Sequence, residues 1–454
     1  MTKTAFIKTY GCQMNVYDSR RIHELLESDG YHLTDDAQDA DLILLNTCHI
    51  REKAAEKLYS DIGRMRKLAN KATIAVAGCV AQAEGEEILT RARDVDLVLG
   101  PQVIHRLPNL LKRLNKEHGL RLVETELPDE SKYDHLPKKR SQQGVSAFVS
   151  AQEGCDKFCT FCVVPYTRGV QLSRPVEDIL DEINQLVDLG CVEITLLGQN
   201  VNAYDGIDAS GKSVGLAGLI DYIAKIPNIV RIRFTTSHPR DMKDDLIALY
   251  GRCEKLMPYL HLPVQSGSDP ILKRMNRGHD ARSYFHIVEK LRKIRSDIAL
   301  SGDFIVGFPG ETDSDFEATL SLVRHIGYAQ AYSFKYSPRP GTPAADMDDQ
   351  VPESVKQDRL EQLQELLDAQ QYAFNRSFIG REMQILLERK ARQGGRLVGR
   401  SPWMQSSYVR ADSRHMGRIV PCQVRDAGPN SLQLDIIEDS KNSNDIDRDL
   451  FTTC

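Results

Sequence analysis

The sequence has little net charge, no long apolar run and no internal repeat. Its 59 basic and 64 acidic residues leave a formal charge of −5, which excludes recognition of nucleic acid through overall basicity but not through a local patch. The longest apolar stretch, residues 73–81, is far too short to span a bilayer, so we expect no membrane association. A strand-like segment at 5–10 stands where a secretory signal would have its apolar core, and we therefore expect a cytoplasmic protein.

Disulfide bonds are also expected to be absent. The chain has ten cysteines, and the cytosol keeps thiols reduced, so these cysteines need another explanation. Apolar residues make up 41% of the 454 residues, which is enough for several hydrophobic cores. At roughly 150 residues per domain, the length predicts about three domains.

The first folded segment is predicted at 3–120. It alternates strands at 5–9, 42–46, 74–77 and 97–99 with helical patterns, which predicts an open parallel αβα sheet. Asp18 is the expected cap of its first helix. The polar residues 121–144 predict a linker, and the basic run at 138–140 within it is interpreted as solvated surface, with RNA contact as the alternative.

The strand-helix pattern continues six times over 145–376, with strands at 146–150, 192–197, 230–235, 258–264, 299–306 and 331–336. Six such units predict a partial (βα)6 barrel, two units short of the closed form. A helix over 353–376 is expected to end this segment. Five short runs over 378–440, separated by turns, predict a small antiparallel β-barrel, so the fold class is α/β with a C-terminal β module. Residues 441–454 predict a disordered tail.

Three cysteines directly after the first barrel strand form a Cys-x-x-x-Cys-x-x-Cys motif, here named the barrel triad: Cys155, Cys159 and Cys162. Barrels of this kind place their active sites at the carboxyl ends of the strands. Three close thiolates suit a soft metal centre, and three ligands to a four-iron cluster leave one iron open. The alternatives are chance clustering and a zinc site, for which no fourth ligand lies nearby in sequence.

A second set, the N-terminal triad, consists of Cys12, Cys48 and Cys79. Each follows a predicted strand by two or three residues, so all three are expected at one edge of the parallel sheet, where ligands bind. Gly11 and Gly78 would let the backbone approach closely. Three small buried residues are the alternative interpretation. The remaining cysteines are predicted to be core or incidental: Cys191, Cys253, Cys422 and Cys454.

Six further strings accompany the cysteines and the strand ends: Thr9-Tyr-Gly-Cys-Gln-Met-Asn15, Asn46-Thr-Cys-His-Ile-Arg-Glu-Lys53, Gly78-Cys-Val-Ala-Gln82, Cys162-Val-Val-Pro-Tyr-Thr-Arg-Gly169, Leu197-Gly-Gln-Asn-Val-Asn202 and His261-Leu-Pro-Val-Gln-Ser-Gly-Ser268. With the two triads, they resemble the radical S-adenosylmethionine methylthiotransferases over nearly the whole chain. The residues 13–15 favour the class that acts on isopentenyl-adenosine in tRNA. Relatives that modify threonylcarbamoyl-adenosine or a ribosomal-protein aspartate are the alternatives.

The resemblance implies two 4Fe-4S clusters and S-adenosyl-L-methionine as cofactors. In this family the barrel triad's cluster cleaves S-adenosylmethionine to a radical that removes hydrogen from carbon 2 of the adenine. The N-terminal triad's cluster supplies or carries sulfur, and a second S-adenosylmethionine supplies the methyl group. The implied partners are the tRNA anticodon stem-loop, a reductant such as flavodoxin or ferredoxin, and a sulfur donor; we expect a monomer. A two-cluster electron carrier and a zinc-stabilised RNA-binding module are the competing classes.

Polar and glycine residues follow the later barrel strands on the same face as the barrel triad. We expect cofactor contacts from Gly198, Gln199, Asn200, Ser237, His238, Gln265, Ser266 and Gly307. Ordinary turn chemistry is the alternative, because these residue types are common in turns.

The C-terminal module carries a local basic charge. Residues 381–434 hold ten basic and four acidic residues, a net of +6, whereas the residues from 435 onward sum to −4. The module resembles the RNA-binding TRAM domain of the family. Its arginines can neutralise phosphates and its aromatic rings can stack on loop bases. The RNA contacts predicted there are Arg396, Arg400, Trp403, Tyr408, Arg410 and Arg414.

Overall fold

Residues 3–49, 52–117, 119–128, 130–141, 144–392 and 394–437 are described by a computed structural model of the chain. Contacts between residues divide the chain into two compact units, Met1–Leu366 and Leu367–Cys454. Within the described ranges, no helix combines the length and the apolar character needed to cross a bilayer. The acidic tail predicted at 441–454 lies outside the described residues.

The first unit begins with a six-stranded parallel sheet in the order β2-β1-β3-β4-β5-β6. The four predicted strands are confirmed. The two short edge strands, β2 and β6, carry too few residues for a period to predict them. The bounds are β1 Lys3–Thr9, β2 Tyr31–Leu33, β3 Leu42–Thr47, β4 Thr73–Gly78, β5 Leu97–Leu99 and β6 Leu122–Glu124, with α1 Gln13–Ser28, α2 Glu52–Leu68, α3 Cys79–Glu84, α4 Glu86–Arg91 and α5 Leu107–Lys116.

Helices cover both faces of this sheet, so its central strands are apolar along their whole length. Every residue of β3 is buried, which is typical of a strand between two helical layers. Leu42 and Leu44 belong to the core on one face of the sheet, and Ile43 and Leu45 to the core on the other. This alternation is what holds the strand ends, and the loops that follow them, in register.

Six parallel strands form the partial barrel of the same unit, as predicted. They make two three-stranded halves, β13-β10-β7 and β14-β15-β16, which a parallel bridge between Ile232 and Leu256 connects. The six strands are β7 Ser146–Ser150, β10 Glu193–Leu197, β13 Arg231–Phe234, β14 Tyr259–His261, β15 Ala299–Val306 and β16 Gln330–Lys335. Two short antiparallel pairs accompany them: β8 Gln152–Glu153 with β9 Leu172–Ser173, and β11 Asp205–Ile207 with β12 Ser213–Gly215. The helices are α6 Val164–Arg168, α7 Val176–Asp188, α8 Leu216–Ala224, α9 Asp244–Arg252, α10 Asp269–Arg274, α11 Ala281–Ile294, α12 Asp313–Ile326 and α13 Glu353–Arg376.

The second unit contains a closed five-stranded barrel in the order β17-β18-β19-β21-β20. Its strands are β17 Glu382–Lys390, β18 Arg396–Arg400, β19 Ser406–Arg410, β20 Ile419–Ala427 and β21 Ser431–Ile436. The expectation of a purely antiparallel barrel is wrong at one pair, because β19 and β21 run parallel and close the barrel.

Two expectations about the first unit are corrected. Helix α1 begins at Gln13 with Cys12 at its N-cap, so Asp18 lies inside the helix, only 1% exposed, and caps nothing. The predicted linker at 121–144 is not a solvated connector. It contains β6, and Lys132 and Arg140 within it are buried in ion pairs that the local sequence does not reveal.

Candidate active site

The N-terminal triad lies at the carboxyl edge of the parallel sheet. Cys12 follows β1, Cys48 follows β3, and Cys79 is the first residue of α3 after β4. Because β1, β3 and β4 are neighbours in the sheet, their three following loops are adjacent. The thiols of Cys12 and Cys48 are hydrogen-bonded, and Cys79 lies close enough to Cys12 for the two to interact electrostatically.

Two glycines let these loops come together. A Cβ on Gly11, whose φ is +100°, would lie 2.0 Å from the Cβ of Cys48. A Cβ on Gly78, whose φ is +94°, would lie 2.4 Å from both the Asn46 Oδ1 and the Thr47 carbonyl oxygen. No other residue type accepts both the left-handed backbone and the missing space, so the sequence motifs Gly-Cys at 11–12 and 78–79 have a steric cause.

Side-chain amides fix the loops further. Asn15 Nδ2 donates to Asn46 Oδ1 over 2.9 Å and to the Thr47 carbonyl over 3.1 Å. The Cys12 thiol donates to Asn15 Oδ1 over 3.0 Å. The hydrogen bond with Cys48 and the positive charge of Arg168 hold the pKa of Cys12 below its ordinary value. Burial raises the pKa of Cys79, and Arg168 opposes that rise. Cys48 and Cys79 are therefore buried and Cys12 is partly buried, with the Arg168 guanidinium beside them.

The barrel triad occupies the loop after β7 and β8. The backbone turns tightly there, with the Cys162 amide donating to the Cys159 carbonyl over 2.9 Å and Phe158 at a φ of +47°. Burial, followed by the field of Cys159, raises the pKa of Cys162 to about 12. Arg277 donates from Nη1 to the Cys159 sulfur over 3.4 Å, so this triad also has a buried arginine as its neighbour.

Three of the predicted cofactor residues present buried polar atoms that have no hydrogen-bond partner among the described residues: Asn200 Oδ1, Ser237 Oγ and His238 Nε2. His238 Nδ1 accepts from the Arg240 amide, so the neutral ring carries its proton on Nε2. Burial, and then Arg277, lowers the pKa of His238 to about 2. Unpaired buried donors and acceptors are costly, and a polar ligand at this face would satisfy them.

The other predicted cofactor residues have structural contacts of their own. Gln199 Oε1 accepts from the Gly154 amide over 2.7 Å, and a Cβ on Gly198 would meet Gln152 Oε1. Gln265 has a φ of +79°, and its backbone bonds to Asp303 and Ile305 of β15. The remaining two residues, Ser266 and Gly307, pack against helices. The Ser266 hydroxyl bonds to Thr319 of α12, and Gly307 lies against the side chain of Lys356 of α13.

The residues present fit two iron–sulfur clusters and a polar cofactor. Each triad offers three thiols, with one buried arginine donating to a sulfur. Soft thiolate ligands with a hydrogen-bond donor are the environment that such clusters occupy in proteins. Within the part of the chain that the structure describes, no group of three histidine, cysteine, aspartate or glutamate side chains encloses a single metal ion. The non-triad cysteines 191, 253 and 422 are buried.

The sequence does not predict the burial of four charged residues near the triads: Asp18, Lys132, Glu153 and Arg168. They form a single set of ion pairs. Arg168 and Glu153 each lie within six residues of a barrel-triad cysteine, and that proximity is the one sequence signal that points to them. Nothing near Lys132 indicates burial.

The predicted RNA contacts divide into exposed and packed residues. Arg410 and Arg414 are exposed, whereas Arg396 and Tyr408 are half-exposed. Arg400 Nε lies 3.7 Å from Glu388 Oε2. Arg396 is paired with Arg410 across β18 and β19, so the two side chains share a face of the barrel. The half-buried ring of Trp403 packs against Phe378, with the centroids 4.7 Å apart and the planes tilted by 54°, and an RNA contact there stays a prediction.

Comparison with known proteins adds to this geometry. Residues 4–100 match the Uncharacterized protein family UPF0004, and residues 149–323 match the Radical SAM superfamily. The tRNA-2-methylthio-N(6)-dimethylallyladenosine synthase of Sphingopyxis alaskensis (strain DSM 13593 / LMG 18877 / RB2256) is 57% identical over 431 residues, which cover 95% of this chain and 97% of that protein. The chain belongs to this synthase family.

Two solved structures share their fold with this synthase family member. The radical S-adenosylmethionine methyltransferase TsrM from Kitasatospora setae superposes with a TM-score of 0.55 at 13% identity, over 76% of this chain and 74% of that one. The cobalamin-dependent S-adenosylmethionine radical enzyme OxsB superposes with a TM-score of 0.52 at 14% identity, over 81% of this chain and 56% of that one. At such identities the likeness concerns the fold alone. As a synthase family member with a radical SAM domain, the chain is an enzyme, a radical SAM methylthiotransferase.

Proposed function

We propose that this chain adds a methylthio group to carbon 2 of isopentenyl-adenosine next to the anticodon of tRNA. The observation that carries the proposal is the 57% identity, over 95% of the chain, to a relative named for that reaction. The two cysteine triads, each at the carboxyl edge of parallel strands within one compact unit, support it. In this proposal, sulfur is supplied or carried by residues 3–120. The radical is generated by residues 145–376, and RNA is bound by residues 378–440.

The chain's own residues would bind and orient what the reaction needs. The barrel triad and the N-terminal triad would each hold a 4Fe-4S cluster. Asn200, Ser237 and the Nε2 proton of His238 would bond the polar parts of S-adenosylmethionine. When bound, the clusters and S-adenosylmethionine supply the radical and sulfur chemistry that no side-chain acid or base can perform on an aromatic C–H bond. The burial of Cys48, Cys79 and Cys159 would help to exclude water and competing reactions.

The C-terminal barrel would hold the tRNA anticodon stem-loop. Arg396 and Arg410 share one face, and the exposed Arg414 extends the positive charge along the same module. Phosphate contacts of this kind give affinity that falls as salt rises. The reaction also requires an external reductant such as flavodoxin or ferredoxin, and a source of sulfur.

The iron content of anaerobically purified protein tests the cluster assignment. Two four-iron clusters predict about eight iron atoms per chain, and about half should remain when either triad is replaced by alanine. Cys253→Ala removes a buried cysteine outside both triads and is the matched control, with full iron expected. Zinc in place of iron, or iron that is insensitive to Cys48→Ala, would contradict the assignment.

Nucleoside analysis tests the substrate. We expect tRNA from a strain lacking this protein to lose 2-methylthio-isopentenyladenosine and to regain it with the wild-type gene. Loss of the threonylcarbamoyl-adenosine derivative or of the ribosomal-protein modification instead would move the protein to another class of the family. In vitro, Cys159→Ala should abolish cleavage of S-adenosylmethionine, whereas Cys48→Ala should retain cleavage and lose sulfur insertion. Intact tRNA modification without this protein would favour an electron carrier.

A further inference from the structure

Arg168 connects the two triads physically. It is the last residue of α6, the helix that follows Cys162 of the barrel triad. Its side chain leaves the barrel and reaches the N-terminal sheet, where Nε donates to the sulfur of Cys79 over 3.4 Å. A residue carried by the loop of one triad is therefore in contact with a thiol of the other.

The remaining nitrogen atoms of this guanidinium are held by two carboxylates from different elements. Nη2 donates to Asp18 Oδ2 of α1 over 2.6 Å, and Nη1 donates to Glu153 Oε1 of β8 over 3.0 Å. Lys132 completes the set, with its ammonium 3.0 Å from Asp18 Oδ1 and 2.8 Å from Glu153 Oε1. All four side chains are at most 2% exposed.

This arrangement fixes where the Arg168 charge acts. The two cations and two anions balance, so the set is neutral as a whole. Among the hydrogen bonds of the described residues, the one that joins this set to a triad sulfur runs from Arg168 to Cys79. A planar guanidinium held at both ends cannot turn away from the sulfur. Hydrogen bonds to the sulfurs of an iron–sulfur cluster favour its reduced form, which carries the greater negative charge.

We propose that Arg168 is a positioning residue that raises the reduction potential of the N-terminal cluster and couples that cluster to the loop of the barrel triad. The inference rests on the proposed function to the extent that the N-terminal triad holds a cluster. It assigns a role that neither triad's cysteines provide, namely setting the electron affinity of the N-terminal cluster from the neighbouring barrel.

The chain supplies its own matched control in Arg277. This arginine is also buried and also donates to a triad sulfur over 3.4 Å, but the sulfur is that of Cys159 in the barrel triad. Its Nη2 donates to the Pro263 carbonyl over 2.6 Å, and no contact with the N-terminal triad is present among the described residues. The two arginines therefore predict separable effects, each on the cluster whose sulfur it contacts.

The experiment uses the full chain, reconstituted anaerobically, with potentials measured by EPR during stepwise reduction with dithionite. Replacing the barrel triad by alanine isolates the N-terminal cluster, and replacing the N-terminal triad isolates the barrel cluster. Iron content is measured first. An N-terminal triad that binds no iron would refute the proposed function itself, before Arg168 is tested.

Arg168→Gln should disfavour reduction of the N-terminal cluster at least tenfold, which corresponds to about 59 mV for one electron. Arg168→Lys, which keeps the charge and loses the planar contacts, should give a smaller shift. Arg277→Gln should shift the barrel cluster alone. An unchanged potential of the N-terminal cluster in Arg168→Gln would overturn the inference. An equal shift of that same cluster in Arg277→Gln would also overturn it.

The glutamine variant leaves Asp18 and Glu153 with Lys132 as their single cation, and uncompensated buried charge destabilises a fold. Asp18→Asn combined with Arg168→Gln removes one charge of each sign and keeps the set neutral. If Arg168→Gln alone fails to fold or to load iron, the double variant is the test. A potential equal to that of the wild type in the iron-loaded double variant would again overturn the inference.

Discussion

Gly11→Ala isolates the close approach of two loops at the N-terminal triad. The substitution places a Cβ 2.0 Å from the Cβ of Cys48 at a backbone φ of +100°. The left-handed backbone alone costs a non-glycine residue about 1–2 kcal/mol. Overpacking of a filled site typically costs a further ~1–3 kcal/mol. We therefore expect a total loss in the free energy of unfolding of about 2–5 kcal/mol.

Gly30→Ala is the matched control for that prediction. Gly30 lies in the same domain, just after α1, with a φ of +86° and no atom within 4 Å of a built Cβ. It should lose only the backbone part, about 1–2 kcal/mol. Denaturant unfolding of the apoprotein measures both losses. Iron content measures the second consequence, because Cys48 must move in Gly11→Ala and the N-terminal triad should lose its iron, whereas Gly30→Ala keeps it. Equal losses of stability in the two variants, or full iron in Gly11→Ala, would refute the reasoning.

Three further predictions concern protonation, packing and RNA. Burial lowers the pKa of His238 from 6.5 to about 2 and that of His279 from 6.5 to about 4. Because the unfolded chain binds these protons at a higher pH than the folded chain does, the stability of the apoprotein should decrease as the pH drops below 6.5. The expected slope is about 1.4 kcal/mol per pH unit for each histidine. His279→Gln should flatten that slope in denaturant unfolding, and a pH-independent stability would contradict it. Trp403→Ala should cost about 2 kcal/mol, since its half-buried ring packs on Phe378; lost tRNA affinity at unchanged stability would show that the ring serves RNA instead. Arg410→Ala should reduce the slope of log affinity for tRNA against log salt by about one, and an unaltered slope would exclude a phosphate contact there.

Much of the architecture is predictable because the strands carry strong local patterns. The run Leu42–Thr47 is apolar at four successive positions, which is typical of a strand buried on both faces. The placement of both triads after strand ends follows from those strands and from the rule that parallel strands share an edge. The short strands β2 and β6 are not predictable, because three residues show no period.

Contacts between distant segments are the part that sequence could not reveal. Asp18 has the residue type and spacing of a helix cap, yet it lies buried and pairs with Arg168, which is 150 residues away. Trp403 has the residue type of an RNA-stacking ring, and its half-buried ring also packs against Phe378. In both cases the local pattern does not indicate the partner, which lies elsewhere along the chain.

The segment between the sheet and the barrel limits how this chain can be divided. It contributes a strand to the sheet, and its Lys132 and Arg140 supply cations to carboxylates of α1 and of the barrel region. A cut anywhere in this segment would separate the buried Asp18 from its partner Arg168, and a buried carboxylate that loses a cation destabilises a fold. The parallel sheet and the barrel therefore share buried ion pairs, and neither is expected to be recovered as a stable fragment by itself.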